Sequence, residues 1–328
     1  MTSKVILLIS LSAIVVLAAP MIGMYAIPWS AVVDPLSGEP GAVILWQIRI
    51  PRVLVAFVGG AGLALGGAAF QAMFRNPLAT PFTLGVASGA ALGVAFVTRI
   101  GLLAVSGGAW FVPMAAFAGS LLAVGIVWSV ARMRPDFSTT VLLLAGVAMT
   151  FFFSSLILFL QYTANLGDSF RIVRWLMGGL GEARWEALVV MVPAVVIGTL
   201  IVGWRIRDLD LLMVGPEIAA GRGVDVQRTR IAIFLGTSLV VAAVVSVCGP
   251  IGFVGMMAPH ICRLLVGGHH RVLLPVSMAF GGTFLVACDT VARTILAPVE
   301  LPVGVITAFL GGPFFLWLLI RGKGIIRH

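Results

Sequence analysis

The chain contains only two lysines, Lys4 and Lys323, and neither stands in a G-x-x-x-x-G-K-[ST] phosphate loop. A P-loop ATPase needs that lysine on the phosphates, so this polypeptide cannot be one. No Ser/His pair, paired acids or H-E-x-x-H arrangement falls within the apolar segments, so no catalytic residue is assigned. Asp289 is the acid inside an apolar run, and Arg293 follows it by four positions. On a helix that spacing predicts a local ion pair. His260, His269 and His270 invite comparison with metal or haem ligands. His260 reads better as a polar contact and the His269-His270 pair as solvated loop, so no metal site is assigned. Cys248, Cys262 and Cys288 lack metal-ligand spacing and read as inert buried thiols.

Two further patterns carry chemistry. Thr139, Leu143, Gly146, Thr150, Ser154, Ile157 and Gln161 share one stripe at helical periodicity. A weakly polar, small-residue face suits a water-filled path; close packing through Gly146, Thr150 and Ser154 explains it equally well. The charged stretch from Arg205 to Arg230 holds a second pattern. Pro216 suits a first helical position, Glu217 the positive end of a helix dipole and Gly223 a stop, which predicts a short helix from about Pro216 to Arg222. Leu211, Leu212, Met213, Val214 and Ile218 are apolar residues in an otherwise charged loop, and such clusters mark contact surfaces.

The elements that must position these residues follow from composition. Of 328 residues, 60% are hydrophobic and 10% charged, against about 25% charged in a soluble domain. Apolar runs predict an all-α polytopic membrane protein with about ten spanning helices, organised as one transmembrane domain over residues 1–328. The spans are expected near 5–27, 53–73, 83–103, 111–131, 140–161, 185–204, 231–248, 252–267, 272–292 and 303–320. Residues 1–19 resemble a signal peptide but are read as a retained first span, because the apolar run continues toward Ile27.

The net charge of +9 is read as membrane orientation rather than nucleic-acid binding. With both termini cytoplasmic, 14 basic residues fall inside and seven outside: Arg49, Arg52, Arg99, Arg171, Arg174, Arg184 and Arg293. Lipid phosphates are expected partners of such flanking charge. Gly62 and Gly66, then Gly85, Gly89 and Gly93, recur at four-residue spacing and predict close helix packing.

RIPR (49–52), GGAGLALGGAAFQAMFRNPLATP (59–81), STTVLLLAGVAM (138–149), GPEIAAGRG (215–223), GPIGFVGMMAPHICRLLVG (249–267), DTVAR (289–293) and ELPVGVITAFLGGPFFLWLL (300–319) together resemble the FecCD permeases. These are the type II ABC importer permeases for iron-siderophores, haem and vitamin B12. The resemblance spans nearly the whole chain in order. It implies a ten-helix subunit working as a homodimer in the bacterial inner membrane, two ATP-binding cassette subunits on the cytoplasmic face that bind ATP and Mg, and a periplasmic substrate-binding protein. No cofactor is implied in this chain.

The resemblance also gives residues roles. Gly215, Pro216, Glu217, Ile218, Ala219, Ala220 and Gly223 are similar to the coupling helix that enters a groove on the ATPase. Ser138, Thr139 and Thr140 resemble a cytoplasmic gate, with Leu143, Gly146, Thr150, Ser154 and Gln161 lining the path above it. Arg49, Arg52 and Arg293 match outward arginines that receive acids of the binding protein. Thr80 and Arg222 depart from the family pattern, which often has an acid and a leucine there. Cargo is expected to be an iron-siderophore or haem first, and vitamin B12 second. An ion-coupled secondary carrier is the alternative, disfavoured by the shortage of intramembrane acids and recognisable by uptake that survives ATP depletion and collapses with the ion gradient.

Overall fold

The computed structural model describes residues 2–35, 38–102, 110–133 and 139–321. Its helices run in chain order: α1 (Thr2–Ala18), α2 (Trp29–Val33), α3 (Pro40–Val43), α4 (Ile50–Phe74), α5 (Val86–Arg99), α6 (Phe111–Arg132), α7 (Thr139–Tyr162), α8 (Leu166–Leu176), α9 (Trp185–Trp204), α10 (Ile206–Val214), α11 (Pro216–Gly221), α12 (Val226–Cys248), α13 (Val254–Val266), α14 (His270–Ala292) and α15 (Val303–Arg321). Among the described residues, seven apolar segments are long enough to cross a membrane, and the shorter apolar α5, α13 and α15 complete the ten expected spans. The long helices alternate in direction. We call the end carrying α10 and α11 the lower end and that carrying α8 the upper end.

Residue composition sets the layering. The spanning window of α4 is 83% buried, and those of α12 and α14 are 72% and 56% buried, whereas α1, α6, α7 and α9 bury only 17–28%. The small-residue helix is thus the hub, wrapped by helices whose large apolar side chains face outward. At Gly60 a β-carbon would lie 2.2 Å from the Gly281 carbonyl oxygen, and at Gly67 it would lie 1.6 Å from that of Gly255. Only residues without a side chain let backbones come this close. The same device joins α5 to α6, where a β-carbon on Gly93 would meet the Ala115 carbonyl oxygen at 2.1 Å.

Several boundaries differ from expectation for identifiable reasons. The first span ends at Ala18, followed by a 3-10 turn over Ala19–Met21 that contains Pro20. The second begins far earlier than residue 53, because α3, a π-helical stretch (Ile44–Arg49) and α4 form one helical segment from Pro40 to Phe74. Pro51 has no N–H to return to the preceding turn. The helix widens ahead of it, and the Ile50 N–H reaches the Leu45 carbonyl, five residues back. The Arg205–Arg230 stretch, expected to hold one short helix, holds two, α10 and α11.

Replacing Gly60 by Leu drives a side chain into α14 backbone. Overpacking of flexible cores costs about 1–3 kcal/mol, and rigid backbone gives way less easily, so a large fall in detergent melting temperature is expected. Gly125→Leu, where a β-carbon meets nothing within 4 Å, should stay close to the parent. Equal melting temperatures for the two variants would contradict the hub.

Candidate functional site

At the lower end, Leu209 and Leu212 bury one face of α10, and its two aspartates fix it to neighbouring helices. Asp208 accepts from Arg205 Nη1 at 3.1 Å and from Thr229 Oγ1, on α12, at 2.9 Å. Asp210 accepts from the backbone N–H of His270 at 2.9 Å and sits 2.6 Å from its ring Nδ1, both through Oδ1. Gly215 turns the chain in extended geometry, and Pro216 opens α11. The helix closes as expected. Gly223 (φ 83°) donates to Ala220 O at 2.9 Å and Val224 to Ala219 O at 3.0 Å, the paired bonds of a Schellman stop.

The residues assigned to this motif divide by face. Gly215 and Ala219 are buried, Pro216 is half-buried, and Glu217, Ile218, Ala220 and Gly223 point outward. Met213, Val214 and Ile218, at 37%, 60% and 48% exposure, form an apolar surface beside them. Leu212, expected in that cluster, is instead core. Uncovered apolar residues at the charged end of a helical bundle form a surface suited to a protein partner.

The fifth-span stripe lies along the inner side of α7. Gly146 and Ile157 are buried, while Thr139, Leu143, Thr150, Ser154 and Gln161 are half-buried. A β-carbon on Gly146 would lie 2.3 Å from Thr83 O, in the 3-10 turn Pro81–Leu84, and the Thr150 hydroxyl donates to Gly146 O at 2.8 Å within the helix. The stripe packs onto the chain's own α5 and α6 side, and Leu144, Val147, Phe151 and Leu158 face outward. Of the gate residues, Thr139 and Thr140 form the first turn of α7, Thr140 exposed; Ser138 lies outside the described residues.

At the upper end the arginines correct two expectations. Arg52 grips Asp289 as a fork, with Nη2 at 2.8 Å from Oδ1 and Nε at 3.0 Å from Oδ2, while Nη1 meets Glu300 Oε2 at 2.9 Å. Asp289 therefore pairs across 237 positions with α4, rather than with Arg293 on its own helix. Arg49 donates to the carbonyls of Pro20 at 3.1 Å and Tyr25 at 2.7 Å, and Arg293 to that of Ala19. A β-carbon on Gly23 would lie 2.5 Å from Arg49 Nη2, so the glycine leaves room for the guanidinium. All three arginines are 6–7% exposed. The expected outward landing site is instead an internal clasp that holds the segment after α1 against α4 and α14. Burial in a low-dielectric interior makes each of these charge-assisted bonds strong and each unmade bond costly.

The arginines that do face outward at this end are Arg99, Arg171, Arg174 and Arg184. Two of them lie on α8, a helix missed by apolar-run reading because it is too short and too polar. Its signal is local: Asn165 Oδ1 accepts the Asp168 N–H at 2.8 Å, Asn165 Nδ2 donates to Asp168 Oδ2 at 2.9 Å, and Ile172 buries against Ala91, Ala95 and Ile157. Among the described residues no three His, Cys, Asp or Glu side chains converge on a metal-sized site. His260 packs against the edge of Phe314, and His269 is exposed.

Known proteins share this architecture. The profile of the FecCD transport family matches residues 9–321. A cobalamin import system permease of Halobacterium salinarum is 44% identical over 282 residues, 86% of this chain and 74% of that protein. A hemin transport system permease of Yersinia pestis is 38% identical, covering 85% of this chain and 84% of its own. An ABC transporter of the metal-chelate type, solved in an inward-facing conformation, superposes with a TM-score of 0.87 at 30% identity over 98% of this chain and 100% of that one.

Removing Asp289 leaves the buried Arg52 with only the half-exposed Glu300, a loss of up to about 3–5 kcal/mol. Asp289→Asn should therefore lower the detergent melting temperature sharply. Arg52→Met combined with Asp289→Leu should recover much of it. A single Asp289→Asn variant that melts with the parent would show that the fork contributes nothing.

Proposed function

Because the chain belongs to the FecCD transport family, we propose that it forms, as a homodimer, the transmembrane pathway of an importer driven by ATP hydrolysis on separate subunits. It is a permease of the metal-chelate, B12 and haem class of ABC importers. Its cargo is a large metal chelate: an iron-siderophore, haem or cobalamin. The names of the cobalamin and hemin permeases support this size and chemistry.

The observation that carries the reading is the lower end. A bundle this apolar ends in a short helix whose Ile218, together with Met213 and Val214, stands uncovered on an element braced by Asp208 and Asp210. An ATP-binding subunit seated there would bury that surface. The excess of basic residues at this end supports a cytoplasmic location for it, in a multi-pass cytoplasmic-membrane protein with cytoplasmic termini. The carboxylate of Asp289 also supports an ATP-driven reading over an ion-coupled carrier, because it is committed to Arg52 and is not available to carry a proton or sodium ion. A binding protein delivers cargo at the upper end. Since Arg49, Arg52 and Arg293 are committed to the clasp, its acids meet other residues there. Thr139 and Thr140, with Ser138, form the cytoplasmic gate.

Replacing Ile218 by Asp places a charge in an apolar contact. Affinity for the ATPase subunits should fall at least tenfold, about 1.4 kcal/mol, with membrane insertion and melting temperature unchanged because Ile218 is exposed. Cargo transport and its stimulation of ATP hydrolysis should be lost together. Normal transport by Ile218→Asp would overturn docking at α11.

A further inference from the structure

We infer that Asp210 is the positioning residue through which movement of the α10–α11 foot reaches α14, by holding the first residue of that helix at two points. This rests on the importer reading above.

α11 makes most of its contacts with α10 and α12, and its outward face is free. Force applied to that face leaves through α10 as well as through α12. Positions 208 and 210 are two apart, roughly 200° around a helix, so their carboxylates leave α10 on opposite sides. Asp208 reaches the first turn of α12 through one threonine hydroxyl. Asp210 reaches α14 differently, because a single oxygen, Oδ1, takes both the backbone N–H and the ring Nδ1–H of His270. That N–H is among the donors a helix start leaves without a partner, and a carboxylate there is also favoured by the helix dipole. Two bonds to one residue fix direction as well as distance.

His270 is fully buried, and its Nε2 has no hydrogen-bond partner among the described residues. Among those residues the ring is thus held by Asp210 and by packing, with Arg263 and His269 as its other ionisable neighbours. α14 then runs for 23 residues, about 34 Å at 1.5 Å per residue, with Pro275 in its second turn. It touches α4 through Gly281 and Gly282 at its middle and through the Asp289–Arg52 fork near its far end. A helix gripped at its start and near its end carries a displacement of one end toward the other. Displacement at the foot then arrives at the clasp beneath the upper surface.

The test uses the chain assembled with its ATPase subunits and binding protein in liposomes, with ATP hydrolysis and cargo entry measured in the same vesicles. Asp210→Ala removes both bonds. Asp210→Asn keeps an Oδ1 that can accept both, so it serves as the conservative variant. We expect Asp210→Ala to hydrolyse ATP within about twofold of the parent while cargo moved per ATP falls at least tenfold, and Asp210→Asn to keep the parental ratio within about threefold. His270→Ala, which leaves the backbone bond, should fall between them, and it serves if Asp210→Ala does not assemble. Parental cargo-per-ATP in Asp210→Ala or in His270→Ala overturns the inference. So does a loss of hydrolysis in proportion to transport, which would mean structural damage only. If the parent complex itself moves no cargo with ATP, the importer reading fails instead.

Discussion

The carbonyl oxygen of Gly281 occupies the place where a side chain on Gly60 would begin, and the carbonyl of Gly255 does the same at Gly67. This contact of backbone with backbone sets the spacing of α4, α13 and α14. Inside a bilayer there is little hydrophobic gain in bringing two helices together, since lipid is as apolar as leucine. Close packing of small faces and buried polar bonds must supply the association instead. The GGAGLALGGAA run does the first, giving a helix that neighbours surround on nearly every side. It also makes the second possible, because the fork between Arg52 and Asp289 spans the α4–α14 boundary that these glycines bring together.

Polar chemistry in the chain is concentrated at the two ends of that hub and serves to tie segments together. At the upper end, three arginines bind carboxylates and the backbone carbonyls of residues 19–25. At the lower end, two aspartates on α10 bind α12 and α14. Between them the bundle relies chiefly on packing, with a few bonds between helices, such as those of Ser120 to Val86 O and Gln71 to Met256 O, and local hydroxyl bonds such as those of Thr150 and Thr237 to the preceding turn. A bundle tied at its ends and packed through flat glycine faces can shift as rigid helices without breaking a mid-membrane charge pair. That mechanical character suits the importer pathway proposed for this chain.

The ten spans were legible because each is an apolar run with charged or Pro/Gly borders, and borders are set by the same transfer energetics that define a membrane helix. α11 was legible from Pro216, Glu217 and Gly223, whose backbone preferences are local. α8 and α10 were not, because helices of 11 and 9 residues that mix aspartate, arginine and leucine leave no run to detect. The arginines mark a deeper limit. Charge at the outer end of a span shows that something retains it, and only the fold tells whether that is a partner outside or a carboxylate 237 positions away. The stripe on α7 meets the same limit: a small-residue face looks alike whether it meets water or another helix, and the fold seats it closely at Gly146, against the Thr83 carbonyl.

On the proposed function, this chain supplies a pathway and a docking surface while the chemistry of ATP belongs to other subunits. That division is tested most directly by measuring ATP hydrolysis on the purified chain in liposomes, first alone and then after stepwise addition of its ATPase subunits. Lacking a phosphate-loop lysine, the chain alone should show no hydrolysis above empty vesicles, and activity should appear with the added subunits and saturate as they fill the chain's docking surface. Hydrolysis by a preparation of the chain shown to be free of those subunits would contradict the account.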